Sequence, residues 1–262
     1  NHDWTTKTWE KGKSISKNTL IFKQEYPGEK DHIDHFYRLL PAFKDHRYIK
    51  VDGKLLFIIF EGRTFPNVKV FMKLWNDLAV VNGLEGFHFV TLAYSLPELG
   101  RKRVKISKLD SLVKETIDNY KKLGFDALNT INLKYAELKT GGYFHKVVGG
   151  IMRRLPNSPY VEKYDYSKII DNDTLENVYP QLLAGWDRTP RSGKKAVVYY
   201  GTNPETFKKA ARKVVNIVSE KKPEHRIIFL NSWNEWGEGA YMEPDLRYGK
   251  GMINALKEVL DE

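Results

Sequence analysis

The stretch R-I-I-F-L-N-S-W-N-E-W-G-E-G-A, residues 226 to 240, joins two kinds of sequence without a break. Ile227 to Leu230 is a short apolar run of the kind that forms a buried strand, and it ends at once in polar and aromatic residues. Glu235 and Glu238 follow, three residues apart, set among Trp233, Trp236, Gly237 and Gly239. The same order recurs upstream. Leu55 to Phe60 leads into Glu61 and Arg63, and Phe87 to Leu92 into Tyr94. Asn129 and Asn132 are read as following the strand in Phe125 to Ile131, and Leu182 to Gly185 leads to Trp186 and Asp187.

Between these runs, apolar residues fall at helical spacing: Ile33, Phe36, Leu39, Leu40; Val70, Leu74, Leu78, Val81; Leu112, Ile117, Tyr120; and Phe207, Ala211, Val214, Val218. Strand and helix alternate, which predicts an α/β fold with a parallel sheet. Periodicity alone leaves a doubly wound sheet and a (β/α)8 barrel open. Distinctive residues placed repeatedly after strands favour the barrel, and no glycine-rich phosphate fingerprint follows the earliest strand, as a dinucleotide-binding sheet requires. Five strands fall about three short of eight. The expectation is therefore a TIM-type (β/α)8 barrel lacking its first strands, one domain over residues 1–262, N-terminally incomplete and completed by an upstream segment. Ala196 to Tyr200 follows Asp187 too closely for a crossover helix and is read as part of a long loop, as are residues 133 to 160.

Composition narrows the chemistry. The 262 residues include no cysteine, which excludes disulfides, thiolate catalysis and zinc-thiolate sites. No apolar run approaches the roughly 18 to 20 residues that span a bilayer. Forty-three Lys and Arg against 33 Asp and Glu give a formal charge of +10. Such an excess attracts polyanions. The runs Arg101 to Arg103, Lys208-Lys209 and Lys221-Lys222 form no stripe interleaved with aromatics, and nucleic acid is not expected as a partner. His32 and His35, beside Asp31 and Asp34, have a spacing that can bind metal, but are read as a solvated helix face. No metal or cofactor is expected.

The paired glutamates suit glycosidic-bond chemistry, in which one carboxyl protonates the leaving oxygen while the other acts as nucleophile or base. Tryptophan suits the same site, because its face stacks on a pyranose and its bulk desolvates a neighbouring carboxyl. Glycines at 237 and 239 let the backbone bend so that both carboxylates enter one cleft. The alternative is a solvated loop whose tryptophans cap the domain. Trp186 and Asp187 form a second candidate, as stacking ring and hydroxyl acceptor or as a turn with a packed indole. Trp4 and Trp9 are candidates in the opening loop. Glu243, Asp245 and Arg247 are read as a salt-bridge cluster supporting the catalytic turn.

The stretch Asn231 to Tyr248, N-S-W-N-E-W-G-E-G-A-Y-M-E-P-D-L-R-Y, resembles the C-terminal signature of the WbsX-type glycosyltransferase family, which is similar to glycoside hydrolase family 99. Q-E-Y at 24 to 26, L-L-P-A-F-K-D-H-R-Y-I-K-V-D-G-K-L-L-F at 39 to 57 and G-W-D-R-T-P-R at 185 to 191 look like the same family, in its order. The resemblance implies a barrel acting on glycosyl groups in bacterial O-antigen, lipopolysaccharide or other surface-polysaccharide synthesis. It implies Glu235 as the base that takes the sugar 2-hydroxyl proton, and Glu238 as the acid/base toward the leaving group. The family's W-A-N-E-x-W-T corresponds to N-H-D-W-T at residues 1 to 5, with His2 where Glu is usual. Trp4, Trp9, Trp186, Asp187, Trp233, Asn234 and Trp236 are the expected substrate contacts. The expected partners are an oligosaccharide or sugar donor and an anionic membrane surface, the expected location the cytoplasm at the inner membrane face. A retaining endo-α-mannosidase-like hydrolase and a non-catalytic carbohydrate-binding barrel are the alternatives.

Overall fold

The computed structural model describes residues 3–5, 20–94, 109–131, 137, 140–141, 147–152, 154–155, 158, 160–169, 176–193 and 196–262. Trp9, His2 and Asn132 lie outside these residues, as do Arg101 to Arg103 and much of 133 to 160. The chain divides into two units, Asn1–Ala93 with Asp110–Asn129, and Tyr94–Leu109 with Thr130–Glu262.

In the first unit, β1 (Trp4–Thr5) and β2 (Leu20–Phe22) form an antiparallel ribbon. Helix α1 (Glu29–Phe43) precedes a hairpin of β3 (Lys50–Val51) and β4 (Lys54–Ile59). The hairpin turns on Asp52 and Gly53, with φ of 48° and 76°. Two consecutive positive φ values are what a two-residue hairpin loop demands, and Asp-Gly supplies them. Helix α2 (Val68–Val81) then carries the chain to β5 (Phe87–Tyr94), which pairs parallel with β4. Helix α3 (Leu109–Leu123) leads to β6 (Ala127–Ile131), the neighbour of β5.

The α2 helix forms where periodicity predicts it but buries a different stripe. Val68, Phe71, Met72, Trp75 and Ala79 face the core, whereas Val70 and Val81 of the expected stripe are 63% and 78% exposed. Phe71 and Trp75 carry the largest apolar surfaces on the helix, so their burial sets its rotation. Trp75 is fully buried and donates its indole N–H to the His32 carbonyl at 3.0 Å. Its ring lies 5.8 Å from Phe36, 4.7 Å from Phe57 and 5.3 Å from Phe87. Asp31, Asp34 and His35 lie exposed on the helix, as the solvated-face reading expects, while His32 is partly buried; His32 packs edge-on to Phe71, and His35 to Trp75. Burial lowers the His35 pKa. Among the described residues no cluster of three metal-ligating side chains occurs.

In the second unit, β7 (Glu162–Asp165) pairs parallel with β9 (Val197–Tyr200), and β8 (Val178–Leu183) pairs parallel with β10 (Phe229–Asn231). The loop reading of Ala196 to Tyr200 is thus overturned. Residues 197–200 form a strand whose parallel partner is β7, so no crossover helix after β8 is needed. β8 also begins earlier than the apolar run at Leu182 suggests, because Pro180 and Gln181 interrupt the pattern without ending the strand. A short helix, α4 (Thr189–Ser192), follows β8. Helix α5 (Pro204–Ser219) starts in a reciprocal capping box between Asn203 and Thr206, and packs on α6 (Gly251–Leu260). Phe207, Ala211 and Val214 of α5 join Leu182, Leu183, Tyr199, Met242 and Met252 in one core.

The fold is therefore mixed α/β, with helices following parallel strands. Among the described residues no helix is long and apolar enough to cross a membrane.

Candidate functional site

The site is built by the segments after β8 and β10, both in the second unit. β10 ends at Asn231, whose carbonyl accepts the Ala184 N–H at 2.9 Å. Beyond a cis peptide between Asn231 and Ser232, a small ribbon forms from β11 (Asn234–Glu235) and β12 (Ala240–Tyr241). Ser232 closes it, donating its hydroxyl to the Ala240 carbonyl at 2.6 Å and accepting the Glu235 N–H at 3.1 Å. The 3-10 turn Trp236–Glu238 connects the two strands.

Two glycines let the segments touch. A Cβ on Gly185 would stand 2.6 Å from the Gly239 carbonyl oxygen, and one on Gly239 would stand 2.9 Å from the Asp187 nitrogen. Gly239 also has φ +61°, the left-handed region that disfavours a side chain. The Asp187 N–H accordingly reaches the Glu238 carbonyl at 2.7 Å. Gly237 acts differently: a Cβ there would lie 3.2 Å from Glu235 Oε1.

The two glutamates meet on one guanidinium. Arg191 Nη1 lies 3.1 Å from Glu238 Oε1 and 3.7 Å from Glu235 Oε1, and Arg188 Nε lies 3.1 Å from the same Glu238 oxygen. Since each oxygen lies within 3.7 Å of one nitrogen, they are no farther apart than about 7 Å, a bound that admits the separation of about 5–5.5 Å used by retaining glycosidases. The Glu238 side chain is 15% exposed and that of Glu235 45%. One carboxylate is thus shielded and ion-paired, and the other opens to solvent.

The remaining candidates separate. Asp187 accepts the Thr189 N–H at 2.8 Å and the Thr189 hydroxyl at 2.7 Å, opening the α4 turn. Trp186 is partly buried and stacks on Tyr199, with ring centroids 6.2 Å apart. Tyr199 in turn donates its hydroxyl to Glu137, a buried carboxylate, at 2.8 Å. Trp233 and Trp236 are 54% and 46% exposed, and Asn234 is exposed on β11. Trp4 contributes its backbone to β1 in the other unit. Asn129 is buried inside β6, not after it.

The expected salt-bridge cluster at Glu243, Asp245 and Arg247 is replaced by hydrogen bonds. Glu243 accepts the Trp236 indole N–H at 2.6 Å. Asp245 accepts the Tyr241 hydroxyl at 3.1 Å and the Arg247 N–H at 2.9 Å, while the Tyr248 N–H holds its carboxyl below the usual range. Sequence reasoning missed Arg188, Arg191 and Tyr241. The arginines stand in the G-W-D-R-T-P-R stretch, but their side chains reach a turn 47 residues away, a distance no local pattern encodes.

A solved structure described as a glycoside hydrolase-like protein aligns with 87% of this chain and 60% of its own, at TM-score 0.48 and 15% identity. Two curated relatives are both described as uncharacterized protein WxcX, from Xanthomonas campestris pv. campestris strains B100 and ATCC 33913. Each is 37% identical over 84 residues, which make up 32% of this chain and 12% of the relative's length. The profile of the WbsX glycosyltransferases matches residues 1–256, and by that match the chain belongs to the WbsX glycosyltransferase family, a family of carbohydrate-active enzymes.

Proposed function

We propose that this chain transfers glycosyl groups in bacterial surface-polysaccharide assembly, with Glu235 and Glu238 as its carboxylate pair on the framework of an incomplete (β/α)8 barrel. The observation that supports the reading is the shared contact of both carboxylates with Arg191 Nη1, which puts them on one side of one turn. In the first step Glu238, which must part from Arg188 and Arg191 to hold a proton, donates one to the leaving oxygen, while Glu235 takes the proton of the sugar 2-hydroxyl. That oxygen attacks the anomeric carbon as the glycosidic bond breaks, giving a 1,2-anhydro sugar. In the second step Glu238 takes the acceptor's proton, the acceptor oxygen opens the anhydro ring, and Glu235 returns the proton to O2. Configuration is retained.

A sugar hydroxyl as acceptor makes the reaction a transfer, and water makes it a retaining hydrolysis by the same groups. The basic surplus of the chain favours a phosphate-bearing donor, and hence transfer. Of the four basic residues of helix α5, Lys208, Lys209 and Arg212 are paired with Glu258, Glu205 and Glu262.

The test is turnover, followed by mass spectrometry, of α-mannosyl oligosaccharides and of nucleotide- and polyprenyl-linked sugars with candidate acceptors. Wild type is compared with Glu238→Gln and Glu235→Gln. Loss of roughly 100-fold or more in either variant is expected for an acid/base group. Unchanged turnover in both would remove the pair from the mechanism.

A further inference from the structure

Trp236 stands between the two glutamates, and it is fixed on two sides while 46% of it remains exposed. One face lies on Tyr241, with centroids 3.7 Å apart and planes 16° from parallel. Its edge is bound by Glu243, a charge-assisted hydrogen bond at 2.6 Å. Both supports are themselves anchored. The Glu243 N–H donates to the Trp233 carbonyl at 3.1 Å, and the Tyr241 hydroxyl donates to Asp245. A tryptophan that only covered the core would be buried, and one that only decorated a loop would be free to rotate. This one is neither.

We infer that Trp236 is a prefixed stacking platform for a pyranose ring, and that Glu243 and Tyr241 are positioning residues acting through it. This rests on the reading of the site as one for glycosyl groups, and deepens it. With its N–H already committed to Glu243, the indole offers a ligand its face and no donor. The platform therefore selects a sugar with one unhydroxylated face, not a particular hydroxyl pattern, and discrimination among hydroxyls falls to other groups. Pre-ordering the ring also spares the binding step the cost of immobilising a side chain.

The test follows the indole N–H resonances of the six tryptophans, with Trp236 assigned as the one resonance lost in Trp236→Phe. Methyl glycosides and short oligosaccharides of mannose, glucose, galactose and rhamnose serve as probes. The Trp236 resonance is expected to exchange slowly and to move on titration. Glu243→Ala is expected to weaken sugar binding about tenfold, equivalent to ~1.4 kcal/mol, and to raise KM with little change in kcat. Glu243→Gln, whose amide oxygen accepts the same bond, restores binding to within about twofold of wild type if the hydrogen bond is what matters. Wild-type affinity in Glu243→Ala overturns the inference, as does a Trp236 resonance that no probe moves. The two readings fail separately. Full turnover in Glu238→Gln with weakened binding in Glu243→Ala would sink the catalytic pair and keep the platform. Inactive Glu238→Gln with unaltered binding in Glu243→Ala would do the reverse.

Discussion

Replacing Gly239 by alanine should be among the most damaging single-methyl changes in the second unit. The new Cβ would stand 2.9 Å from the Asp187 nitrogen, 2.9 Å from its Cβ and 3.2 Å from its Cα. Two of these are backbone atoms and the third is fixed directly to the backbone, so none can swing aside and the two segments must part. The Glu238 carbonyl to Asp187 N–H bond of 2.7 Å crosses that gap and is lost. Holding alanine at positive φ costs about 1 kcal/mol, overpacking about 1–3 kcal/mol and the hydrogen bond about 1 kcal/mol, together about 3–5 kcal/mol. Gly249 provides the control. Its φ is +53°, close to that of Gly239, but nothing lies within 4 Å of its Cβ position. Gly249→Ala should therefore cost only the conformational part, about 1 kcal/mol. Urea unfolding followed by circular dichroism, with slopes compared, measures both. Gly239→Ala is expected to lose at least about 2 kcal/mol more than Gly249→Ala. Equal losses would show that conformation alone explains Gly239, and that the close approach of the two segments is not a constraint.

The interior tyrosines make the protein sensitive to base. Burial is the largest cause raising the pKa of Tyr164, Tyr166 and Tyr199, and they donate to Glu162, the Leu183 carbonyl and Glu137. An unfolded chain gives up these protons near pH 10 while the native one keeps them. Their contribution is thus complete below about pH 10 and declines as pH rises beyond it. Melting temperature followed from pH 8 to 12 should fall above 10, and native tyrosinate absorbance at about pH 12, where ordinary tyrosines are nearly all ionised, should account for fewer than all 15 tyrosines; full titration without unfolding would contradict this. Asn203→Ala removes one half of the α5 capping box, the Thr206 N–H bond at 3.0 Å, and should cost about 1 kcal/mol in the same urea assay.

The rhythm of the fold is legible in the sequence because apolar runs and helical spacing are local. Strands β4, β5, β6 and β10 and the helices α1, α2, α3 and α5 all lie on segments read from periodicity. Rotation of α2 about its axis was not legible, since its apolar residues cover most of its surface and only the bulk of Phe71 and Trp75 decides the buried face. Strand β9 escaped because its pairing partner, β7, lies more than thirty residues earlier and is itself charged at three of its four positions, Glu-Lys-Tyr-Asp. The β3–β4 hairpin carries a clear local signal in Asp52-Gly53. Within the site, Glu235 and Glu238 stand out as a spaced pair. Arg188 and Arg191 acquire meaning only when Gly185 and Gly239 bring two distant loops into contact.

That one guanidinium serves both glutamates has a consequence for how the protein can change. A shift of either carboxylate alters the counter-ion of the other, so positions 188, 191, 235 and 238 do not offer four independent adjustments. Substitutions among contacting charged groups combine non-additively, and here the coupling runs through a single nitrogen, Arg191 Nη1. Divergence at these positions is therefore epistatic: an altered carboxylate is tolerated or not according to the arginine already present. Libraries aimed at new acceptors should vary the four together, and the surviving combinations would reveal which charge arrangements the turn can hold.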